Sequence, residues 1–330
     1  MAVAAWQKTF IRSKRYSIGD ALITEPDGTM HAHSTTGTVP RWTIILAFAA
    51  LYLIWGATYL GIKIAIETIP PFLMSATRFM LAGAVLYGIS RARGVRKPTL
   101  PEWKTCLIVG GFLIAGGNGG VTLSELWIDS SIAALVIASN PLFMTLFGWL
   151  GGVQKKPRVR AWLSLLVGFC GVGLLIGFNA RAAGTGSVAG YALVLTGIVL
   201  WTTGSIYSKR NPLTLDIWLQ SGMQMFCGGA ICLLIATFRG EFIGLDVAAI
   251  SMRSGIAFIL LTLIGSLAGF TSYVYLLKHC VPSAVASHAY VNPVVAVLLG
   301  WLVLGETLSP GGAAGSLLVL VSVYELLRQK

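Results

Sequence analysis

Apolar runs of about 20 residues recur along the chain from position 42 onwards, each followed by a short polar or basic segment. Such a run crosses a bilayer as an α-helix, because a helix satisfies its own backbone hydrogen bonds in hydrocarbon. Apolar residues make up 55% of the chain and charged residues only 11%, which indicates an all-α integral membrane protein. Ten transmembrane helices are predicted, near 42–63, 71–90, 104–124, 130–150, 160–178, 188–207, 214–238, 254–277, 283–304 and 310–327.

The basic residues lie mainly on one side of these predicted spans. Nineteen Lys and Arg residues fall on the side of both termini, and four, Lys63, Arg181, Arg239 and Arg253, fall on the other. Cytoplasmic loops carry the excess of positive charge, so both termini are predicted to be cytoplasmic. The net charge of +12 is explained by the membrane topology of a protein in the lipid bilayer, and it does not indicate nucleic-acid binding. The polar segment 1–40 lacks the apolar core of a signal peptide and is expected to be a cytoplasmic tail, with Met30 as an alternative start.

Two stretches of the chain repeat each other. SNPLFMTLFGWL and YVNPVVAVLLGWL share Asn-Pro and Gly-Trp-Leu at an offset of 152 residues, and an offset of 146 relates the earlier spans. Each half holds an odd number of spans, so the halves enter the membrane from opposite sides, as in inverted-repeat transporters. The predicted parts are the tail, 1–40, and two five-helix repeats, 41–182 and 183–330. Further aligned residues are Gly117 with Gly269, Ser131 with Ser283, Trp55 with Trp201, Lys63 with Lys209, and Gly83 with Gly229.

The pairs Asn140-Pro141 and Asn292-Pro293 lie near the predicted midplane of the fourth and ninth helices. Proline removes a helix hydrogen bond and asparagine is costly in hydrocarbon, so each pair predicts a polar break. Two compatible interpretations remain open. The amides contact a substrate, as at the broken helices of transporters, or they cap the carbonyls that proline leaves free.

Four stretches carry a family resemblance: LYLIWGATYLGIKIAIETIPP, SATRFMLAGAVL, GGNGGVTLSELWIDSSIAALVIASNPLF and SYVYLLKHCVPSAVASHAYVNPVVAVLLGWLVLGETLS. They resemble the EamA-type family of the drug/metabolite transporter superfamily over about 41–327. The resemblance implies a ten-helix secondary transporter of the cytoplasmic (inner) membrane, built from two five-helix repeats. Members of that family mostly export amino acids and other small metabolites.

Aromatic and hydroxyl side chains in the first and sixth helices are candidates for a substrate pathway. Trp55, Thr58 and Tyr59 share one face of the first helix, while Trp201 and Ser205 lie in the sixth. Together these groups suit an amphipathic metabolite. The alternative is that the aromatic residues anchor the helices at the membrane interface.

Polar residues in the third and seventh helices are further candidates. Asn118 and Thr122 form a polar stripe with Glu125, which is expected to be a solvated charge at the outer end of its helix. Gln224, near Gln220, is predicted either to contact substrate or to form a hydrogen bond between helices.

Two residues that can carry charge lie inside the predicted spans. Arg78, in the second helix, is expected either to pair with Glu67 or Glu125, or to bind an anion. His288 lies one turn before the second Asn-Pro pair, with Tyr290 nearby, and can change charge near neutral pH. It is a candidate for proton coupling, or else a histidine hydrogen-bonded inside the bundle.

These features predict a secondary transporter of a small molecule, most simply an exporter working by alternating access. The sequence has no G-x-x-x-x-G-K-[ST], H-E-x-x-H or G-x-S-x-G motif, so no ATP hydrolysis, metal, cofactor or enzymatic activity is expected. A passive channel, an importer and, more remotely, an intramembrane enzyme are the alternatives. Paired glycines such as Gly173 and Gly177 or Gly311 and Gly315 indicate close helix packing or a homodimer contact.

Overall fold

The computed structural model describes residues 40–183, 186–280, 285 and 288–328, which are helical nearly throughout and contain no strand. Of the unit that ends at Ile44, only Pro40–Ile44 is described, and the contacts below belong to the unit that begins at Ile45. The predicted tail, including Met30, therefore lies outside the described residues. The helices are α1 (Arg41–Ala65), α2 (Pro71–Ala92), α3 (Leu100–Ser124), α4 (Ser130–Leu150), α5 (Val159–Ala183), α6 (Gly186–Arg210), α7 (Ile217–Phe238), α8 (Met252–His279), α9 (His288–Leu299, extended by Gly300–Leu304) and α10 (Pro310–Arg328).

Seven helices in the described part of the chain are long and apolar enough to cross a membrane: α1 to α4 and α6 to α8. Two others contain shorter apolar stretches, Val159–Leu174 in α5 and Val291–Leu304 in α9. Large apolar side chains such as Leu53, Leu163 and Leu234 stay exposed, as lipid-facing residues do. The all-helical prediction is confirmed for these residues, whereas the count of ten membrane spans stays a prediction.

Irregular turns interrupt α3, α4 and α8 at mid-length. α3 contains a π-helical stretch, Gly111–Asn118, and α8 contains another, Leu261–Phe270. α4 consists of Ser130–Ile137 and Asn140–Leu150, separated by a two-residue turn. Such turns loosen the regular backbone hydrogen bonding and are frequent at functional sites.

The Asn-Pro prediction holds for one helix and is wrong for the other. Asn140 begins the second part of the interrupted α4, but Pro293 lies inside the continuous α9. The Asn292 amide, oriented to satisfy its hydrogen bonds, donates to the carbonyls of Tyr52 (3.0 Å) and His288 (3.1 Å). These local hydrogen bonds support the α9 backbone next to the proline, so the helix continues through it.

Glycines allow α2 and α7 to pack backbone against backbone. A Cβ added at Gly83 would lie 2.5 Å from the backbone N of Phe226, and one at Gly229 would lie 2.8 Å from that of Met80. In α5, Gly171 is equally close to the backbone of α10. Only glycine permits these approaches, so Gly83, Gly229 and Gly171 act in packing within the chain, as does Gly315 opposite Gly171. Gly173 makes no such contact with the described residues, and a homodimer contact stays a prediction.

Candidate substrate-binding cavity

A cavity of about 80 Å³ lies where α1, α2, α3, α4, α6, α8 and α9 meet. Its wall is largely apolar, with Ile62, Ile114 and Phe270 among the lining residues. Eight of the predicted pathway residues also line it: Trp55, Thr58, Tyr59, Arg78, Asn118, Asn140, Trp201 and His288. Residues far apart in the chain thus meet at one site.

An aromatic cluster forms one wall of this cavity. The Trp55 ring lies 5.5 Å from Trp201 and 5.4 Å from His288, edge to face in both cases, and 5.1 Å from Tyr273. Trp201 Nε1 donates to the Tyr273 hydroxyl (3.2 Å), which is 3.0 Å from Ser205 Oγ. Ser205 in turn donates to the Trp201 carbonyl (2.8 Å). Tyr273 was not among the predicted residues, although the aromatic-rich sequence SYVYLL was the signal that could have identified it.

His288 is held by a backbone hydrogen bond at the edge of this cluster. Its Nδ1 is 2.8 Å from the carbonyl oxygen of Val285, which can only accept, so Nδ1 carries a hydrogen. In the neutral ring Nε2 is then the acceptor. This geometry matches a histidine hydrogen-bonded inside the bundle. The predicted role of Tyr290 concerns a side chain that lies outside what the structure describes.

Arg78 brings a buried positive charge to the cavity wall. Its Nε donates to Ser266 Oγ (2.8 Å), and its guanidinium lies over the Phe79 ring, 4.6 Å from the centroid. Its Nη1 is buried and has no hydrogen-bond partner in the described part of the protein. The predicted pairing with a carboxylate is wrong. α2 directs Arg78 inward, whereas Glu67 lies in the loop before α2 and contacts Arg253 at 3.8 Å.

The two Asn-Pro pairs occupy different environments. Asn140 lines the cavity at the break in α4, where its Oδ1 accepts from Thr202 Oγ1 (3.0 Å) on α6. Asn292 binds backbone carbonyls and is not among the cavity-lining residues. Neither Pro141 nor Pro293 is part of the wall. The carbonyl that Pro293 leaves free is that of Ala289, four residues earlier, so neither the substrate-contact nor the capping interpretation describes Asn292, whereas Asn140 faces the cavity.

Three further predicted residues lie behind the wall. Thr122 is buried, donates weakly to Asn118 Oδ1 (3.4 Å) and links α3 to α2 through Ser75 (3.4 Å). Ser205 belongs to the hydrogen-bonded ring around Tyr273. Gln224 is buried in α7, where its backbone packs against Gly110 of α3. These residues support the wall from behind.

The end of α3 holds a buried carboxyl group. Glu125, expected to be solvated, is fully buried, and neither of its carboxyl oxygens has a hydrogen-bond partner among the residues that the structure describes. Lys63 Nζ donates to the backbone carbonyls of Glu125 (2.5 Å) and Ile128 (2.9 Å). Because these hydrogen bonds from Lys63 hold the loop between α3 and α4 over the end of α1, the Glu125 side chain points into the protein. The expectation that Glu125 is a solvated charge is therefore wrong.

Glu306, in the segment after α9, fastens the beginning of α4 nearby. Its carboxylate accepts from the backbone N of Ser130 (3.0 Å), Ser130 Oγ (2.7 Å) and the backbone N of Ser131 (2.9 Å). Backbone N–H groups at a helix N-terminus favour negative charge, so a carboxylate is well suited to this position. The sequence showed this residue only as part of GETLS, without a role.

Burial changes the acidity of the groups in this loop. It raises the pKa of the Glu125 carboxyl well above its ordinary value, an effect that Lys63 opposes and Glu306 adds to. Burial, followed by the charge of Glu306, also raises the pKa of Asp129, and Lys63 again opposes the shift. Of the two groups, the fully buried Glu125 is the one that this loop favours in the protonated form.

Similarity to known proteins places this architecture in a family. The EamA-like transporter family matches residues 41–177 and again residues 188–328. The "Uncharacterized inner membrane transporter YedA" of Escherichia coli (strain K12) is 37% identical over 266 residues, which are 80% of this chain and 83% of that protein. A "Probable amino-acid metabolite efflux pump" of Salmonella typhimurium is 22% identical over 284 residues, 82% of this chain and 90% of that protein.

A solved crystal structure, 22% identical in sequence, superposes with a TM-score of 0.62 over 88% of this chain and 99% of its own. This likeness concerns the fold alone. The double family match and the apolar helices lead to one conclusion: the chain belongs to the EamA-like transporter family and is a multi-pass membrane transporter.

Proposed function

We propose that the protein is a secondary active transporter that exports a small amphipathic metabolite with an anionic group, such as an amino acid, across the cytoplasmic membrane. The observation that carries the proposal is Arg78, whose buried Nη1 has no partner among the described residues and lies at the cavity wall. A guanidinium binds a carboxylate through fixed, charge-assisted hydrogen bonds. The aromatic wall around Trp55 suits the apolar part of the same molecule.

Alternating access is part of this proposal. The cavity of about 80 Å³ is far below the roughly 300–1,000 Å³ of pockets that enclose small-molecule ligands. The described conformation therefore has to open before a metabolite enters. A passive channel is the alternative. A site that must rearrange around its occupant favours a carrier over a fixed pore.

The proposed architecture has ten spans in two inverted repeats, 41–182 and 183–330, and both termini are cytoplasmic. Reciprocal contacts across the halves support it. Trp201 packs against Gly117, and Trp55 packs against Gly269 in the same way. A Cβ added at Gly117 would lie 2.9 Å from Trp201, and one added at Gly269 would lie 2.6 Å from Trp55. The π-helical stretches of α3 and α8 also fall at corresponding places in the two halves.

Corresponding contacts within each half also support the inverted repeat. Lys63 donates to the carbonyl of residue 125, and Lys209 donates to that of Leu277 (3.2 Å), which is 152 positions later. Gln154 and Glu306, also 152 apart, each fold back against the glycine six residues earlier, Gly148 or Gly300. Two halves with matching contacts would supply one closable end at each membrane face.

Export by cells that overproduce the protein tests the role of Arg78. Spent medium is compared by untargeted metabolite profiling for the native chain, Arg78→Gln and, as a matched control, Arg253→Gln, whose side chain is half exposed. We expect an anionic compound to accumulate outside with the native chain and with Arg253→Gln, and not with Arg78→Gln, at equal membrane levels.

If the compound still accumulates outside cells that make Arg78→Gln, the guanidinium of Arg78 does not bind the exported metabolite. Counter-flow in proteoliposomes, using the compound that accumulates, separates the two classes of transport protein. A carrier shows trans-stimulation because loaded and empty forms return at different rates. A channel shows none.

A further inference from the structure

The carboxyl group of Glu125 is the feature that the proposed transport site leaves unexplained. It follows the last turn of α3 and is fully buried, and in the described part of the chain neither oxygen has a hydrogen-bond partner. An ionised carboxylate in this state would lack both water and a donor, which is costly. A protonated carboxyl has no net charge and is buried at far lower cost.

Several charged or titratable groups face this carboxyl or its loop. The ammonium of Lys63 is directed to backbone carbonyls on either side and uses two of its three N–H bonds there. The Glu306 carboxylate is fully hydrogen-bonded to the start of α4. Glu125 interacts with Lys63 and Tyr59 of α1 and with Glu306 after α9. In the same loop, Asp129 before α4 interacts with Lys63, Glu306 and Tyr191 of α6.

A proton fits this position better than a metal ion does. Metal cations need several oxygen ligands, and the described residues contain no group of three His, Cys, Asp or Glu arranged to hold one. The Lys63 ammonium beside Glu125 would also repel a second cation. A proton needs only the one carboxyl oxygen that the structure provides.

Tyr59 connects this position with the substrate cavity. Its side chain lines the cavity and also interacts electrostatically with Glu125. Glu306 closes the opposite side by fastening the segment after α9 to the beginning of α4. Glu125 therefore lies between the cavity and the end of the molecule that Glu306 holds shut.

We propose that Glu125 is the coupling site of the transporter, which binds one proton when the end held by Glu306 closes. The inference rests on the proposed transport function. With that end open, water reaches the carboxyl and lets it exchange protons with the outside. Closing buries the group, and burial requires the neutral form. When the opposite end opens, water entering the cavity lined by Tyr59 reaches the carboxyl, and the proton leaves to the cytoplasm. Each return of the empty transporter thus carries one external proton inward, which a proton gradient can drive.

Infrared spectroscopy of the purified full chain in lipid nanodiscs tests proton binding without any substrate. At neutral pH we expect a C=O band of a protonated carboxyl in the native protein, absent in Glu125→Gln. The matched control is Glu67→Gln, which changes a partly exposed glutamate and should retain the band. If the Glu125→Gln chain fails to fold, Glu125→Asp should instead shift the band in frequency.

Closure of the end held by Glu306 is measured separately, by maleimide labelling of Leu308→Cys in a background without the native cysteines. Leu308 is partly buried against the apolar cluster that includes Ile128, so its labelling should be faster when this end opens. For coupling to one proton, the open fraction should rise up to about tenfold per pH unit, and not at all in Glu125→Gln. Neither measurement uses a metabolite, so failure to find an exported compound leaves both readouts intact.

Three results would overturn the proposal. The carboxyl band could persist in Glu125→Gln or be missing from the native protein. Labelling could respond equally to pH in both chains. Labelling could instead follow the sodium concentration at constant pH, which would assign the site to a metal cation.

Discussion

The hydroxyl of Tyr273 closes a ring of hydrogen bonds beside the cavity, with Trp201 and Ser205 as its partners. Tyr273→Phe would leave the partly buried indole N–H of Trp201 without this acceptor. We expect a loss of about 1–3 kcal/mol in stability and slower export. Thermal unfolding in detergent measures the first effect. Tyr324→Phe, at a residue 46% exposed, is the control, and an equal loss there would contradict the assigned role.

Glu125 gives the stability of the protein a defined pH dependence. Burial raises its pKa in the folded state, so above the unfolded value of about 4.3 the folded chain binds more protons than the unfolded chain. Stability therefore falls as pH rises from there to the folded pKa, by at most about 1.4 kcal/mol per unit. Glu125→Gln removes this slope.

Thermal unfolding between pH 5 and pH 8 measures the difference between the two chains. The curve of Glu125→Gln should be flatter than that of the native chain, and the curve of Glu67→Gln should run parallel to the native one. Parallel curves for all three chains would show that Glu125 does not keep its proton in the folded state.

Residue environments were the part of the site that sequence predicted least well. Trp55, Asn140 and Arg78 were predicted as pathway candidates because each is a polar or aromatic residue within a long apolar run, and all three line the cavity. Their partners were not predictable, since Ser266 lies 188 positions from Arg78. Glu125 turned inward because of a lysine 62 positions earlier. Such pairings depend on helix packing, which apolar periodicity does not determine.

At the scale of helices, the contact between α2 and α7 depends on glycine. Gly229→Ala would place a methyl group 2.8 Å from the backbone N of Met80 and 3.1 Å from the carbonyl oxygen of Ala76. Backbone atoms cannot move aside as a side chain can, so the helices must separate. We expect a loss of about 1–3 kcal/mol, measured by thermal unfolding.

Gly88→Ala in α2 is the matched control, because a Cβ there meets nothing within 4 Å. Its stability should rise by up to about 1 kcal/mol, since alanine favours the helix. A similar loss in both variants would mean that the cost comes from the substitution and not from the contact.

The helices themselves were more predictable than their irregularities. Runs of apolar residues gave bounds close to those of the structure, because membrane thickness sets helix length. The identical Asn-Pro pairs nevertheless gave a break in α4 and a continuous helix in α9. The difference lies in the neighbours: Asn140 accepts from Thr202 on α6, whereas the Asn292 amide supports its own helix and reaches Tyr52.

At the scale of the whole molecule, the distribution of charge predicts the orientation. Single cysteines introduced at Ile243 and at Lys97, in a background without the native cysteines, should differ in access from outside the cell. Ile243 is 88% exposed in the loop after α7, on the side with four basic residues, and Lys97 lies on the side with 19. An impermeant maleimide should label only the former in intact cells. Labelling of position 97 without permeabilisation would reverse the orientation.

The matched positions 154 and 306 differ in one respect, since one carries a neutral amide and the other a carboxylate. Hydrogen bonds to an ionised acceptor are about twice as strong as neutral ones. An otherwise symmetrical carrier would therefore rest with the Glu306 end shut rather than divide its time equally between its two faces. An idle copy would then begin each cycle of export by releasing the hydrogen bonds of a single acidic side chain, so that side chain would set the waiting time between cycles.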